Sequence, residues 1–290
     1  NLNEMINQQI MVYSVPRTGS TLIWQCLAKI FTQVLKAHRD QIWQPSGGDI
    51  WISTRQKGAV LNYSCPCVIT ERGMMDTFLS QWRNHNLQTE AFMHEWLCAA
   101  YGDNDGLGEP LDVKYPLEQY SGWTRKNDGL QGHLFDVEKF KKACDKRGDI
   151  CYVRNNFDPL RRIVCVFQKH LEHLEKVKAE YKGPMLVLQY EQFWNDYDYI
   201  FSEFEKFFDI IISEETKTEI KNTTSRDSNR VAQEKLKGFG QTSSTQIHGG
   251  HIFLAEPGYS NKVLGEKNFR RIQTLLTCDP DDILEIELEE

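Results

Sequence analysis

The sequence predicts an α/β protein, built on a parallel β-sheet of about five strands flanked by helices. Three observations lead to this fold class. Short apolar runs rich in β-forming residues alternate along the chain with longer segments of helical periodicity. The runs are apolar enough to be buried on both faces, as the strands of a parallel sheet are. Polar clusters directly follow these runs, at the strand ends where open α/β sheets bind ligands.

The individual elements follow from this alternation. The predicted strands are Ile10–Val15, Gln33–Lys36, Cys67–Thr70, Asp149–Val153 and Met185–Gln189. Helical patterns fall between or after most of them, at Leu22–Ile30, Asp76–Arg83 continuing through Ala91–Ala100, Val137–Asp145, Leu160–Lys178 and Tyr197–Phe208.

The length of 290 residues suffices for one large domain, and we expect a single domain over residues 1–290. Residues 101–132 are rich in Gly, Asp and Asn, which predicts a surface excursion. Residues 222–250 are polar and contain four glycines, which predicts a lid or loop region over residues 222–260.

Composition excludes several classes of protein. The net charge of −7 argues against a general nucleic-acid binder. No apolar run reaches the roughly 18 residues of a membrane span, and residues 1–10 lack the apolar core of a signal peptide. The eight cysteines are scattered without zinc or disulfide-scaffold spacing, so free thiols in the cytoplasm are expected. No metal-ligand cluster is evident.

The first polar cluster lies in the stretch YSVPRTGSTLIWQ, residues 13–25, where Arg17–Thr21 separates an apolar strand from a helix. Ser20 or Thr21 is available as the N-cap of that helix. A strand, a tight turn and a helix N-terminus together point backbone N–H groups and the helix dipole at one spot, which attracts an anion. An ordinary strand-to-helix turn explains the same residues, and both interpretations stay open on this stretch alone.

Further candidates follow the second and third strands. Lys36 and His38 are two residues apart, so in a strand they face the same side. Arg72 leaves the third strand, and Ser80 lies eight residues later in the next helix, a pair able to hold a phosphate. An ion pair between Arg72 and Asp76 is the structural alternative.

The last two strands also end in polar residues. Arg154 follows the fourth predicted strand and competes with Arg72 for the role of anion-binding arginine. Tyr190 follows the fifth strand, where a ring either stacks on a base or packs in the core.

Four ordered motifs, VPRTGSTL, LKAHRD, VITERGMMDTFLS and LVLQYEQF followed by FSEFEKFFDI, resemble those of the P-loop sulfotransferases. Members of this family take the sulfuryl group from 3′-phosphoadenosine-5′-phosphosulfate (PAPS) and release 3′-phosphoadenosine-5′-phosphate (PAP). The match covers about residues 9–210. It implies the family's P-loop nucleotide-binding-like fold, a small-molecule acceptor with a hydroxyl or amine, and chemistry without a metal.

The resemblance also implies residue roles. The phosphosulfate would be cradled by Arg17, Thr18, Gly19, Ser20 and Thr21, with Arg17 in place of the lysine common in soluble members. His38 would be the base and Lys36 a companion cation. Arg72 and Ser80 would clamp the 3′-phosphate, and Tyr190 would neighbour the adenine.

The carboxyl-terminal part of the site departs from the family pattern. The R-K-G loop that closes over the 3′-phosphate has only a degraded counterpart in Lys235–Gly238, so Lys237 and Gly238 are the candidates there. His248 and His251 border a glycine-rich segment that could replace that loop and are the next candidates for the base.

Two other functions remain open. One is a binding module that keeps an anion or nucleotide pocket without catalysis, although such a module has little use for a base at His38. The other is an ATP-dependent kinase, which is disfavoured because Gly19 is followed by Ser20-Thr21 rather than by the lysine of the G-x-x-x-x-G-K-[ST] loop.

Overall fold

A computed structural model describes residues 9–38, 41–43, 59–86, 159–234, 247 and 256–277. The chain divides into two compact units, and each is described by itself. The first comprises Asn1–Gly73 with His173–Ile252, and the second Met74–Glu172 with Phe253–Glu290. The single-domain organisation stays a prediction.

The first unit contains the sheet. Its strands are β1 (Ile10–Ser14), β2 (Val34–His38), β3 (Gln41–Trp43), β4 (Cys67–Glu71) and β5 (Met185–Gln189), in the order β3-β2-β1-β4-β5. The pairings β1–β2, β1–β4 and β4–β5 are parallel, whereas β3 runs antiparallel to β2. The predicted fold class is therefore confirmed: four parallel strands form the sheet, and β3 is added at one edge.

The helices of the described chain lie between these strands or after the last of them. They are α1 (Ser20–Ile30), α2 (Met74–Asn86), α3 (Pro159–Glu180), α4 (Tyr190–Phe193), α5 (Tyr197–Phe208), α6 (Glu214–Thr224), α7 (Arg226–Glu234) and α8 (Tyr259–Thr277). A short 3₁₀ turn spans Ala59–Asn62.

Strand β1 forms the centre of the core, and all five of its residues are buried. Helix α1 packs against β1, β2 and β4, and Trp24 donates from Nε1 to the carbonyl of Val34 at 3.1 Å. Helix α5 buries Phe201, Phe204 and Phe208, which are spaced three and four residues apart on one helix face. These contacts fix α1, and with it the turn that precedes it, against the middle of the sheet.

The second unit has its own packing. Phe78 and Phe167 are fully buried, and their rings meet edge to face with centroids 5.6 Å apart. The carboxylate of Asp76 accepts the backbone N–H groups of Gly258 and Ser260, at 2.6 and 3.0 Å. Asp76 thus caps the start of α8.

Three sequence-based predictions need correction. Strand β3 was not foreseen, because three residues are too few to show a period. Residues 222–234, predicted as the beginning of a lid or loop, are helical in α6 and α7; their polar composition reflects exposed helix faces. Gly19, rather than Ser20 or Thr21, occupies the N-cap of α1.

Four other predictions lie outside the described residues. They are the strand 149–153, the helices 91–100 and 137–145, and the excursion 101–132.

Candidate functional site

The candidate site lies at the carboxyl end of β1. The strand order β3-β2-β1-β4-β5 reverses direction at β1, because β2 lies on one side of it and β4 on the other. In open α/β sheets ligands bind at such a reversal, outside the carboxyl ends of the strands. The loop from Val15 to Gly19 begins there and leads directly into α1.

The loop backbone has an unusual conformation. Arg17 has a φ of 77° and Gly19 a φ of 86°, with Thr18 at negative φ between them. Alternation between right- and left-handed backbone turns successive N–H groups toward one concave side, the arrangement of anion-binding nests. A left-handed arginine is uncommon and strained by roughly 1–3 kcal/mol, and strain of this kind is concentrated at functional sites.

Gly19 is required for two reasons. Its positive φ disfavours any other residue, and a Cβ atom there would lie 2.8 Å from Tyr190 Cδ2 and 2.9 Å from Phe193 Cε2. Tyr190 and Phe193 belong to α4, which follows β5. The loop therefore rests directly on two buried aromatic rings.

Thr18 faces the protein rather than the concave side of the loop. Its hydroxyl donates to the carbonyl of Val15 at 2.8 Å and lies 2.7 Å from the hydroxyl of Thr70. Because the single hydrogen of Thr18 is used on Val15, Thr70 must be the donor of the second bond. The side chain of Thr18 thus ties the loop to β4, and the backbone is what it offers to an anion.

Lys36 reaches from β2 to the first turn of α1. Its ammonium donates to the hydroxyl of Thr21 at 2.6 Å, and its side chain is 5% exposed. Burial, with the nearby charge of Arg17, lowers the pKa of Lys36 to about 7. The amino group of Lys36 and the guanidinium of Arg17 are therefore held close together near the N-terminus of α1.

His38, the last residue of β2, lies beside the end of β1. Its Nδ1 is 3.0 Å from the carbonyl oxygen of Ser14 and 3.1 Å from the hydroxyl of the same residue. Burial lowers the pKa of His38 to about 3, and the charges of Lys36 and Arg17 contribute in the same direction. The imidazole is consequently neutral at pH 7, the form that accepts a proton.

Arg72 braces the same loop from the end of β4. Its Nη1 donates to the carbonyl of Arg17 at 3.2 Å, and its guanidinium lies 4.3 Å from the centre of the Tyr190 ring. The cation–π contact and the bond to the loop hold a positive charge next to the strained Arg17 backbone. The ring of Tyr190, 8% exposed, is occupied by Arg72, Gly19 and Phe193. Its contact with adenine stays a prediction.

Glu191 completes this bracing, and sequence reasoning gave it no role. Its Oε1 accepts the backbone N–H of Gly73 at 2.7 Å, directly after Arg72. The Tyr190-Glu191 pair thus fixes the residues that follow β4, with the ring under Arg72 and the carboxylate on Gly73.

Ser14 is a second residue to which the sequence gave no role, although the strand register indicates its place beside His38. Tyr13 pairs with Ala37, which places Ser14 beside His38 one step further along the parallel strands.

Of the remaining predicted site residues, Ser80 is buried in α2, which belongs to the second unit. Lys237, Gly238, Arg154, His248 and His251 lie outside the described residues.

The described residues hold no group of three or more His, Cys, Asp or Glu side chains arranged to bind a metal ion. None of the helices in the described ranges is both long and apolar enough to cross a membrane.

No protein-family model and no curated protein matches this sequence. Among solved structures, the chain is similar to that of mouse sulfotransferase SULT7A1 complexed with PAP. That similarity has a TM-score of 0.46 and 12% sequence identity, and it covers 94% of this chain and 86% of that chain. At this level of similarity, no residue role is transferred from that structure.

Proposed function

We propose that this chain is a PAPS-dependent sulfotransferase that moves a sulfuryl group to a hydroxyl or amine of a small-molecule acceptor. One observation carries the proposal: a strained, cation-rich loop meets a neutral histidine at the carboxyl end of β1. Arg17 precedes α1 and the Lys36 side chain reaches its first turn, and their charges add to burial in lowering the pKa of His38. The motif resemblance supplies the identity of the donor.

Sulfuryl transfer makes demands that this cluster meets. The bond from sulfur to the leaving phosphate breaks as the bond from sulfur to the acceptor forms, and the acceptor loses a proton. Negative charge grows on the leaving phosphate. Arg17 and the N–H groups of the loop and of the first turn of α1 stabilise that charge, while Lys36 is within reach of the same turn through Thr21.

His38 is the proposed proton acceptor. A pKa of about 3 makes it a weak base in the free protein; burial is the largest cause of that value, and both neighbouring cations contribute to it. An anionic donor bound to Arg17 and Lys36 offsets their charges, so the pKa of His38 rises toward the range useful for proton transfer when the donor is present. The base is thereby strengthened only when the site is loaded.

The proposed cellular location is the cytoplasm, as free thiols predict. Among the described residues, Cys26, Cys65 and Cys67 are free, and burial raises their pKa values. Raised values keep these thiols protonated and unreactive.

Ligand-dependent melting tests the proposal against its alternatives. PAP at 100 times its dissociation constant should raise the free energy of unfolding by about 2.7 kcal/mol. ATP at the same concentration should raise it less. Arg17→Ala should abolish the PAP shift, while Lys217→Ala, at a partly exposed position on α6, should keep it. A larger shift with ATP would favour a kinase.

Transfer of radiolabelled sulfate from PAPS to a panel of hydroxyl and amine acceptors then separates an enzyme from a binding module. Product formation supports the sulfotransferase. Tight PAP binding without turnover across the whole panel would favour the non-catalytic module.

A further inference from the structure

The contact between Ser14 and His38 determines which ring nitrogen of the histidine is available for chemistry. Both oxygen atoms of Ser14, the carbonyl and the hydroxyl, lie within 3.1 Å of His38 Nδ1. A carbonyl oxygen only accepts hydrogen bonds, so the bond at 3.0 Å requires the hydrogen to be on Nδ1. In the neutral ring this leaves Nε2 with the lone pair.

The hydroxyl of Ser14 is placed to reinforce this tautomer. With the proton on Nδ1, the hydroxyl oxygen at 3.1 Å is a second acceptor for the same N–H group. If Nδ1 were unprotonated, the hydroxyl could donate to it, but the carbonyl at 3.0 Å would then face its lone pair. The geometry with both oxygens close to Nδ1 therefore favours the Nδ1–H form.

Ser14 is rigidly placed for this task. It is fully buried, it pairs with Thr70 across the parallel ladder to β4, and it lies one residue from the loop. Its neighbour Tyr13 has its hydroxyl 2.7 Å from Nδ1 of His173 on α3. The end of β1 is thus held by contacts to its partner strand and to a helix.

We propose that Ser14 is a positioning residue that holds His38 with its hydrogen on Nδ1 and directs the lone pair of Nε2 to the acceptor substrate. The part of this proposal that concerns the substrate rests on the sulfotransferase function; the part that concerns the tautomer does not. The proton leaving the acceptor is taken up at Nε2, and the positive charge of the ring is shared with the two oxygens of Ser14.

The tautomer is measured directly by ¹⁵N NMR of the imidazole in the full-length wild-type protein at pH 7, with and without PAP. Protonated and unprotonated ring nitrogens of a neutral histidine give clearly separated shifts. We expect a protonated Nδ1 and an unprotonated Nε2 for His38, whose signals among the eight histidines are assigned by their loss in a His38→Asn variant. A protonated Nε2 in the wild-type protein overturns the proposal.

A matched pair of variants then isolates the hydroxyl. Thr and Val have the same shape, so Ser14→Thr and Ser14→Val crowd the buried site equally, but only threonine keeps the hydroxyl. An equal shift in melting temperature on adding PAP shows that both variants fold with an intact loop. We expect Ser14→Thr to retain the Nδ1–H form, and Ser14→Val, which keeps the carbonyl but loses the second acceptor, to retain it as the major form with a larger fraction of the other tautomer than Ser14→Thr.

With an acceptor in hand, kcat of Ser14→Val should be about fivefold to tenfold below that of Ser14→Thr, the worth of one hydrogen bond, with the donor KM unchanged. Identical tautomers and identical kcat values in the two variants would contradict the role of the Ser14 hydroxyl in positioning His38. A wild-type protein that shows the expected tautomer but transfers no sulfuryl group would contradict the proposed function and support the orientation assigned to Ser14.

Discussion

Lysines in two regions of the first unit are treated in opposite ways. On the outer faces of α5 and α6, the exposed Lys206 lies 2.9 Å from Glu203, and the partly exposed Lys217 lies near both Glu214 and Glu205. Hydrogen bonds to these carboxylates raise the pKa of both lysines. Lys36, by contrast, is buried, donates to a hydroxyl and has its pKa lowered to about 7.

The comparison shows that a positive charge costs free energy at the buried lysine and little at the surface lysines. A solvated lysine beside a glutamate is an ordinary surface feature that contributes little to stability. A buried lysine close to an arginine whose backbone is strained destabilises the free protein. An anion bound at the loop would remove much of that cost, and for this reason we propose the ligand site in the buried region and not at the surface lysines.

Replacing His38 should have the largest effect. Because His38 is the proposed base in the transition state, His38→Asn should lower kcat about 10²- to 10⁴-fold, with little change in PAP affinity. His173→Asn is the control, because His173 contacts β1 through Tyr13 and lies outside the cation cluster. A folded His38→Asn variant with a near-wild-type transfer rate would leave the role of base to His248 or His251.

Removing Arg72 should act on donor binding. A charge-assisted contact of this kind is worth about 1.5–3 kcal/mol, so Arg72→Ala should raise the donor KM roughly 10- to 100-fold with a smaller fall in kcat. Arg154→Ala is the comparison. Normal PAP affinity in Arg72→Ala, together with lost affinity in Arg154→Ala, would mean that the anion-binding arginine follows a different strand.

Substituting Gly19 should separate backbone strain from crowding. Gly19→Ala combines a positive φ with a Cβ 2.8 Å from Tyr190, so a loss of about 2 kcal/mol or more in the free energy of unfolding is expected. Gly258→Ala is the control, because its φ is +81° but nothing lies within 4 Å of the added atom. It should cost about 1 kcal/mol. Equal losses would mean that the packing of α4 under the loop is loose.

Much of the fold could be predicted because its signals are local. The apolar runs that became β1, β2, β4 and β5 are buried strands, and the periodic segments that became α3 and α5 are helices. Residues 222–234 were misassigned because a helix anchored by few buried side chains is polar in sequence. The reciprocal amide bonds between Gln25 and Asn229, which tie α7 to α1, join residues far apart in the chain.

The site was predictable in residue types but not in orientation. The motif order gives Arg17, Lys36, His38 and Arg72, and the described contacts hold them around one loop. The motif order does not reveal that the Thr18 hydroxyl donates to the carbonyl of Val15 within the protein. Such details depend on backbone angles and on partners in other strands, which no spacing rule contains.

The central claim is that the buried charge at the loop awaits an anion, and proton uptake on binding tests it most directly. In the free folded protein the pKa of Lys36 is lowered from its ordinary value of 10.5 to about 7. A pH of 8.5 lies above that pKa, so Lys36 is largely neutral before PAP binds. A phosphate bound beside it raises that pKa again, so the lysine takes up a proton. PAP itself is fully ionised at this pH, since the second phosphate pKa is about 6.

Calorimetric titration of the protein with PAP at pH 8.5, in two buffers of different ionisation enthalpy, gives the number of protons exchanged. The account predicts uptake approaching one proton for each PAP bound, lost in Lys36→Met and retained in Lys217→Ala. Absence of binding, or binding with no uptake or with release of protons in the wild-type protein, would contradict it.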